Sequence, residues 1–172
     1  MAVKRVYWDS CAWIGLIRGE ADKVIACQYV LDEAKAGRIQ IWTSALTIAE
    51  VYKVKCGGAQ TALPADKEQA FLDLLSQDFV VRVAVTVEIA TFARALLRQY
   101  LNKPNDAIHL ATAALNNLDE FHTYDKNDIL PLDGKIKRVD GELLKVKRPP
   151  EPPPGTALPM FDDKKKASDA AT

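Results

Sequence analysis

Four acidic residues, Asp9, Glu50, Asp106 and Asp125, stand beside segments that a folded chain can bring together. Two carboxylates about 4 Å apart repel each other by ~4 kcal/mol at an effective dielectric constant of about 20, so a cluster of them takes up protons or holds a cation. Oxygen ligands suit Mg²⁺ or Mn²⁺. Such a cation lowers the pKa of a bound water and neutralises a leaving oxygen. The residue types therefore indicate metal-assisted hydrolysis of a phosphodiester.

The first and last of these acids follow predicted strands. β-Branched and aromatic residues at positions 3–8 and 121–124 predict strands that run directly into Asp9 and Asp125. Strands alternate with helices along the chain, which predicts a mostly parallel sheet covered by helices on both faces. Ligands of such sheets bind beyond the carboxyl ends of the strands, where the strand order reverses. We therefore expect both acids at that edge.

Glu50 lies in a predicted helix over residues 45–52, for which Ser44 is a suitable N-cap. Nearly all the other side chains of this helix are apolar, so we expect the helix to be mostly buried. A carboxylate in such surroundings needs a partner or an ion. Glu50 is therefore a candidate ligand, with a solvated position on the helix edge as the alternative.

Asp106 lies in the first turn of a helix that Pro104 begins, because proline lacks the N–H that would have no intrahelical partner there. An acid in a first turn also interacts favourably with the helix dipole, which by itself contributes ~0.3–1 kcal/mol. Asp106 borders the apolar stripe of the helix, so its carboxylate can face a crevice rather than bulk water. The stripe consists of Ala107, Leu110, Ala111, Ala114 and Leu118.

The remaining segments complete the alternating pattern. Apolar residues at helical spacing predict helices from Ala12 and around residues 24–34, and Asp66 with Gln69 resembles a capping box at the start of another helix. Thr86 is the predicted N-cap of the helix that reaches residue 100. Further strands are predicted at residues 38–43, 79–85 and 135–139, with a turn at Asp140 and Gly141 after the last of them and a loop at 57–64.

Composition favours one folded domain with a short extension. The chain has 172 residues, of which 48% are hydrophobic, and its 23 basic residues balance its 23 acidic ones. A balanced charge excludes a strong overall basic field, although not a local basic patch. Six of the nine prolines lie between Pro149 and Pro159. We therefore predict a domain over residues 1–147 and a disordered or polyproline-like tail over residues 148–172.

The cysteines favour a reducing environment. Cys11, Cys27 and Cys56 are odd in number and lack the spacing of a zinc site, so small buried side chains are their expected role. We find no signal peptide and no apolar run of about 18 residues, so we expect a soluble cytoplasmic protein without a membrane partner.

Four segments, taken together and in this order, resemble the signatures of PIN-domain ribonucleases. They are YWDS at residues 7–10, SALTIAEV at 44–51, PNDAIHLATA at 104–113 and HTYDKND at 122–128. The resemblance spans about residues 3–140. The small size of the chain is similar to that of the VapC toxins of toxin–antitoxin pairs, although the proline-rich tail departs from them.

The resemblance implies an α/β fold of three layers, α/β/α, and an endoribonuclease that depends on Mg²⁺ or Mn²⁺. It also implies an RNA substrate, a cognate antitoxin and a homodimer. By position, the roles of metal ligand and catalytic residue fall on Asp9, Glu50, Asp106 and Asp125. Supporting roles fall on the hydroxyls of Ser10 and Thr123 and on Asp128, which stands where some members of the family place the fourth acid.

Several alternatives stay open. A haloacid dehalogenase-type phosphatase needs a second Asp at position 11, where this chain has Cys11, and the paired acids of a receiver domain are absent. A non-catalytic PIN-fold module that binds RNA or protein, with vestigial acids, is the main rival. For His109 we favour a surface or packing role over contact with substrate. A basic set near the C-terminus either steers phosphates or is a solvated face, which we favour: Lys135, Lys137, Arg138, Lys145, Lys147 and Arg148.

Overall fold

The computed structural model describes residues 3–56, 59–100 and 103–156. Its strands, in chain order, are β1 (Lys4–Trp8), β2 (Ile39–Ser44), β3 (Lys53–Cys56), β4 (Ala59–Ala62), β5 (Val80–Val83), β6 (Glu120–His122) and β7 (Lys145–Lys147). Its helices are α1 (Ser10–Arg18), α2 (Val24–Lys35), α3 (Leu46–Glu50), α4 (Ala65–Leu75), α5 (Val87–Gln99) and α6 (Pro104–Leu115), with a 3₁₀ turn at Leu130–Leu132.

Five strands form a parallel sheet in the order β5-β2-β1-β6-β7. The chain builds outward from β1 through β2 to β5, and then crosses to the other side of β1 to add β6 and β7. The strand order therefore reverses between β1 and β6, and the crevice for a ligand is expected beyond their carboxyl ends. This arrangement confirms the predicted α/β class with a mostly parallel sheet.

Two apolar cores cover the two faces of the sheet. Alternation along β1 sends Val6 and Trp8 to the face covered by α1, α2 and α4. Tyr7 points to the opposite face, which α5 and α6 cover. All three side chains are fully buried. The structure is therefore the three-layer α/β/α arrangement that the resemblance implies.

The strand predicted at residues 135–139 is wrong. The fifth strand of the sheet is β7, at Lys145–Lys147, and residues 135–139 instead fold back on residues 142–144. Arg138 N donates to Glu142 O, and Leu144 N donates to Ile136 O. Residues 135–139 therefore pair locally, through a turn around Gly141, instead of joining the sheet. Gly141 has a φ of +92°, which favours glycine.

The prediction of a mostly buried helix at residues 45–52 is also wrong. Helix α3 spans only Leu46–Glu50, and Ile48 is 44% exposed. Ser44 is the last residue of β2, although its Oγ still accepts a hydrogen bond from Leu46 N. Thr47 is its only buried residue, so the apolar composition of this short helix did not lead to burial.

The segment predicted as a loop at residues 57–64 contains part of an antiparallel hairpin formed by β3 and β4. Gly57 and Gly58 themselves lie outside the described residues. The predicted capping box is wrong, because α4 begins after Pro64 and Gln69 Nε2 donates to Asp73 rather than to the helix start. Proline at that position already sets the backbone for helix entry.

The predicted tail is described as far as residue 156, and residues 148–156 contain no helix or strand. The rest of the tail lies outside the described residues, so the domain boundary at residue 147 stays a prediction. Along the described chain, none of the helices combines the length and the apolar character needed to cross a bilayer.

A buried carboxylate on β6 links this strand to its two neighbours, β1 and β7. Glu120 is 6% exposed and contacts the ammonium groups of Lys4 on β1 and Lys147 on β7 at 2.7 and 2.8 Å. His122 Nδ1 lies 3.3 Å from the Trp8 indole N–H, which leaves Nε2–H to donate to Glu120. Burial by itself raises the pKa of Glu120, but these hydrogen bonds outweigh it and hold the pKa far below its usual range.

We expect Glu120→Gln to lower the free energy of unfolding by about 2 kcal/mol at pH 7, because it leaves two lysines without their buried partner. The pKa of Glu120 is lower in the folded state, so its contribution is present above the ordinary Glu pKa of ~4.3 and is lost as the pH falls below it. Urea unfolding at pH 7 and pH 3 measures the difference, with the exposed Glu142→Gln as control. An equal effect at both pH values contradicts the ionic role.

Candidate active site

Asp9 directly follows β1 and caps α1, which begins at Ser10 rather than at the predicted Ala12. It is 2% exposed, and its Oδ1 accepts a hydrogen bond from Ala12 N at 3.1 Å. Its Oδ2 accepts a hydrogen bond from the Thr123 hydroxyl. Burial raises the pKa of Asp9 to about 6, although both hydrogen bonds oppose the shift. The sheet therefore holds a desolvated carboxylate at the point where its strand order reverses.

Thr123 joins Asp9 to Asp125 across β1 and β6. The Thr123 hydroxyl donates to Asp9, and its oxygen accepts a hydrogen bond from Asp125 N at 3.0 Å. Asp125 Oδ1 accepts hydrogen bonds from the backbone N–H groups of Asn127 and Asp128, both at 2.9 Å. The turn after β6 therefore fixes the orientation of the Asp125 carboxylate.

Asp106 occupies the first turn of α6, as the sequence predicts. Its Oδ2 is buried and has no hydrogen-bond partner in the described part of the chain. One oxygen each from Asp106, Asp125 and Asp128 lie within 4.8 Å of one another. Burial raises the pKa of Asp106, and the charges of Asp125 and Asp128 raise it further. Lys103 neutralises part of this charge through an ion pair with Asp128.

Glu50 is held by three donors from two elements. The Ser10 hydroxyl and His109 Nε2 both bond Oε2, the latter at 2.7 Å, and Asn105 Nδ2 donates to Oε1 at 2.8 Å. Burial by itself raises the pKa of Glu50, but the hydrogen bonds from His109, Ser10 and Asn105 outweigh it and lower the pKa. Glu50 is therefore ionised and fixed in orientation.

His109 contacts the candidate site residue Glu50, a contact that the sequence analysis did not predict. It is 2% exposed, so the packing role favoured above is confirmed and a surface position is excluded. Its Nδ1 lies 2.7 Å from the Tyr7 hydroxyl, whose oxygen accepts a hydrogen bond from Ser44 N. The Tyr7 proton is thus directed to Nδ1, which leaves Nε2–H to donate to Glu50. The sequence feature that could have placed His109 near the site is its spacing from Asp106 and Asn105. Residues three and four apart lie on the same face of a helix.

Through these contacts, the predicted site residues are connected. Glu50 bonds to the residue after Asp9 and to the residue before Asp106, and Thr123 joins Asp9 to Asp125. Among the residues that the structure describes, the group within 4.8 Å includes neither Asp9 nor Glu50, and it includes Asp128 beside Asp125. The identity of the metal ligands and catalytic residues stays a prediction.

The donor set fits a hard divalent cation. All the candidate ligands are carboxylate oxygens, which Mg²⁺ and Mn²⁺ prefer. Asp106, which has an unpartnered oxygen, is one of the three carboxylates of this group, and a cation bound there can satisfy that oxygen. Cys11, the thiol nearest in sequence to Asp9, has its pKa raised to about 12 by burial and by the charge of Asp9, so it is protonated and unsuited to zinc.

The family model of the PIN domain matches residues 6–132. The chain belongs to the PIN domain family. The match covers every predicted site residue, from Asp9 to Asp128. No curated protein matches the chain in sequence.

Solved structures of toxin–antitoxin proteins share this fold. A toxin–antitoxin complex from Klebsiella pneumoniae is 26% identical, with a TM-score of 0.57, and the match covers 86% of this chain and 99% of that one. VapC20 from Mycobacterium tuberculosis, a toxin that cleaves the sarcin–ricin loop, is 13% identical, with a TM-score of 0.55 and coverage of 71% and 91%. VapBC2 from Rickettsia felis, bound to a promoter DNA fragment, is 16% identical, with a TM-score of 0.52 and coverage of 83% and 98%.

We expect Asp106→Asn to raise the melting temperature of the chelator-treated protein by about 2 °C. The substitution removes a carboxylate whose pKa is raised in the folded state, so above the ordinary Asp pKa its charge destabilises the fold. Thermal unfolding in EDTA measures the effect. The exposed Asp66→Asn is the control, and a lower melting temperature for Asp106→Asn contradicts the account.

Replacing His109 tests its hydrogen bonds. We expect His109→Leu to lower the free energy of unfolding by about 2 kcal/mol, because it leaves the Tyr7 hydroxyl and Glu50 each without a partner. His109→Gln retains an amide donor and should lose less. Guanidinium unfolding of both variants makes the comparison, and equal losses contradict a role for the hydrogen bonds.

Proposed function

We propose that this protein is an endoribonuclease that depends on Mg²⁺ or Mn²⁺ and acts as the toxin of a toxin–antitoxin pair. The observation that carries the proposal is the group of three carboxylates within 4.8 Å, beside the unpartnered oxygen of Asp106. Membership of the PIN domain family and the 26% identity to a toxin–antitoxin complex support it. A cytoplasmic location and a homodimer belong to the same proposal.

Asp9, Glu50, Asp106 and Asp125 would hold the cation, directly or through water, with Asp128 as the alternative to Asp125. A bound divalent cation activates water and neutralises the leaving oxygen of a phosphodiester. The chain itself orients the ligands. Thr123 fixes Asp9, and Ser10, Asn105 and His109 fix Glu50.

Lys103 stands beside the acidic group with its side chain 61% exposed and paired with Asp128. A phosphate that enters the site can take over this ammonium group, because Asp128 then has the cation as its partner. Lys103 thus offers a positive charge to the substrate at the mouth of an otherwise acidic site.

We expect Asp9→Asn and Asp106→Asn each to reduce Mn²⁺-dependent cleavage of RNA at least 100-fold, because each removes a charged ligand from the cation. Cleavage of a labelled single-stranded RNA is measured with Mn²⁺, with Mg²⁺ and with excess EDTA. The control is the exposed Glu68→Gln on α4. Cleavage that persists in both variants, or in EDTA, contradicts the proposal and favours contamination or a binding module.

A groove on the opposite side of the sheet suits the antitoxin. It lies between α1, α2 and α4, has a volume of about 520 Å³, and is lined by Leu16, Ile17, Leu31, Ala70 and Leu74 together with polar side chains. Asp32 Oδ2 is buried at this groove without a hydrogen-bond partner in the described chain. An apolar helix of the antitoxin that carries a cationic or amide donor would fill the groove and satisfy Asp32.

We expect expression of the wild type to arrest growth, and co-expression of the neighbouring open reading frame to restore it. Ala70→Glu should stay toxic but lose this rescue, because a charge then stands in the apolar groove. Leu72→Glu is the matched control, since Leu72 is 40% exposed on the same helix outside the groove. Unimpaired growth in every case contradicts the toxin proposal, and rescue of Ala70→Glu contradicts the groove.

A further inference from the structure

A groove of about 450 Å³ lies between the C-terminal half of α5 and the turn at residues 135–138. Gln99 and Tyr100 line one wall, and Lys135 and Lys137 line the other. It continues into a hollow on α5 that shares Gln99 and is lined by Arg94 and Arg98. We call this surface the cationic groove and define it by Arg94, Arg98, Tyr100, Lys135 and Lys137.

The positive charge of the cationic groove is not balanced locally. In the portions of the chain described here, no carboxylate pairs with its two arginines or two lysines, all four of which are exposed. Two acids of the adjoining segments have other partners: Asp133 accepts a hydrogen bond from Val146 N, and Asp140 pairs with Arg138. The net charge of the whole chain is zero, so this concentration is a local feature.

Both walls of the cationic groove connect by short segments to the acidic site. Tyr100 precedes Asp106 by six residues, and Lys135 follows Asp128 by seven. Even a fully extended chain of that length spans only about 20–25 Å. Lys103, on the first of these segments, contacts Asp128 at the site. Cations therefore extend from the groove to the edge of the acidic group.

We propose that the cationic groove binds the backbone of a single-stranded RNA substrate and leads it to the acidic site. The inference rests on the proposed nuclease function. Phosphates are repelled by a carboxylate cluster, and unpaired arginines and lysines beside it supply the attraction that brings the strand close. Tyr100, 36% exposed, adds a ring on which a base can stack, as in other grooves for single strands. An apolar protein partner has no comparable use for four unpaired cations.

Two double variants test the groove, Arg94→Gln with Arg98→Gln and Lys135→Gln with Lys137→Gln. Binding of a fluorescein-labelled 20-nucleotide single-stranded RNA is followed by anisotropy in EDTA over a range of salt concentrations. We expect each double variant to weaken binding about tenfold at low salt. We also expect it to reduce the slope of log affinity against log salt by about 1.4, since each phosphate contact contributes ~0.7.

The control carries the same charge change on the opposite face of the sheet, Lys35→Gln with Lys67→Gln, and should bind RNA as the wild type does. Hydrolysis of bis(p-nitrophenyl) phosphate with Mn²⁺ should be unchanged in the groove variants, because this small diester does not reach the groove. A wild type that cleaves neither substrate overturns the nuclease proposal. If the wild type is active but the groove variants bind RNA with unchanged affinity and salt slope, the proposal that the cationic groove binds RNA is wrong.

Light scattering tests whether the cationic groove is instead a contact between subunits. If the groove variants change the oligomeric state and leave the salt slope as it is, the surface is a contact between subunits and the RNA proposal is wrong. Weaker RNA binding with an unchanged oligomeric state supports the groove.

Discussion

Mutual repulsion among carboxylates is the constraint on which the rest of this structure depends. The fold places Asp106, Asp125 and Asp128 close together and Asp9 in a buried position beside them. Hydrogen-bond donors stabilise the negative charge of some of these carboxylates but not of all. Asp9 and Glu50 are satisfied by hydroxyl, amide, imidazole and backbone donors, while an oxygen of Asp106 has none in the described chain. The remaining charge is what a divalent cation would neutralise.

The parallel sheet explains how residues so distant in sequence share these donors. Strands β1 and β6 are neighbours although more than a hundred residues separate them, so Thr123 can bond Asp9 directly. Helix α6 leaves the same edge and brings Asn105 and His109 to Glu50. A module that only binds a partner has no need for this concentration of charge, which destabilises the folded state unless a cation is present. The cluster therefore favours catalysis over a vestigial role.

The two proposed binding surfaces lie on opposite faces of the sheet. The acidic site lies at the carboxyl edge of the sheet, between the two helical layers, and the cationic groove lies on the side of α5. The face covered by α1, α2 and α4 carries an apolar groove, where one oxygen of Asp32 has no partner in the described chain and the other contacts Gln28 and Lys35. Separate surfaces for the proposed RNA substrate and the proposed antitoxin would allow either surface to change without loss of the other. Both surfaces lie on elements that pack on the same sheet, in which Glu120 links β1, β6 and β7.

The sequence by itself determined the alternating elements, the parallel sheet and the four acidic positions, because periodicity and strand ends are local properties. It predicted the turn at Asp140 and Gly141, but it could not show that residues 135–139 fold onto residues 142–144 instead of joining the sheet. It also could not show that α3 is exposed or that β3 and β4 pair, since these depend on what each segment packs against. Burial of His109, its bonds to Tyr7 and Glu50, and the convergence of Asp128 with Asp106 were likewise decided by tertiary structure. Hydrogen bonds between distant segments exist only once the sheet has placed their donors and acceptors side by side.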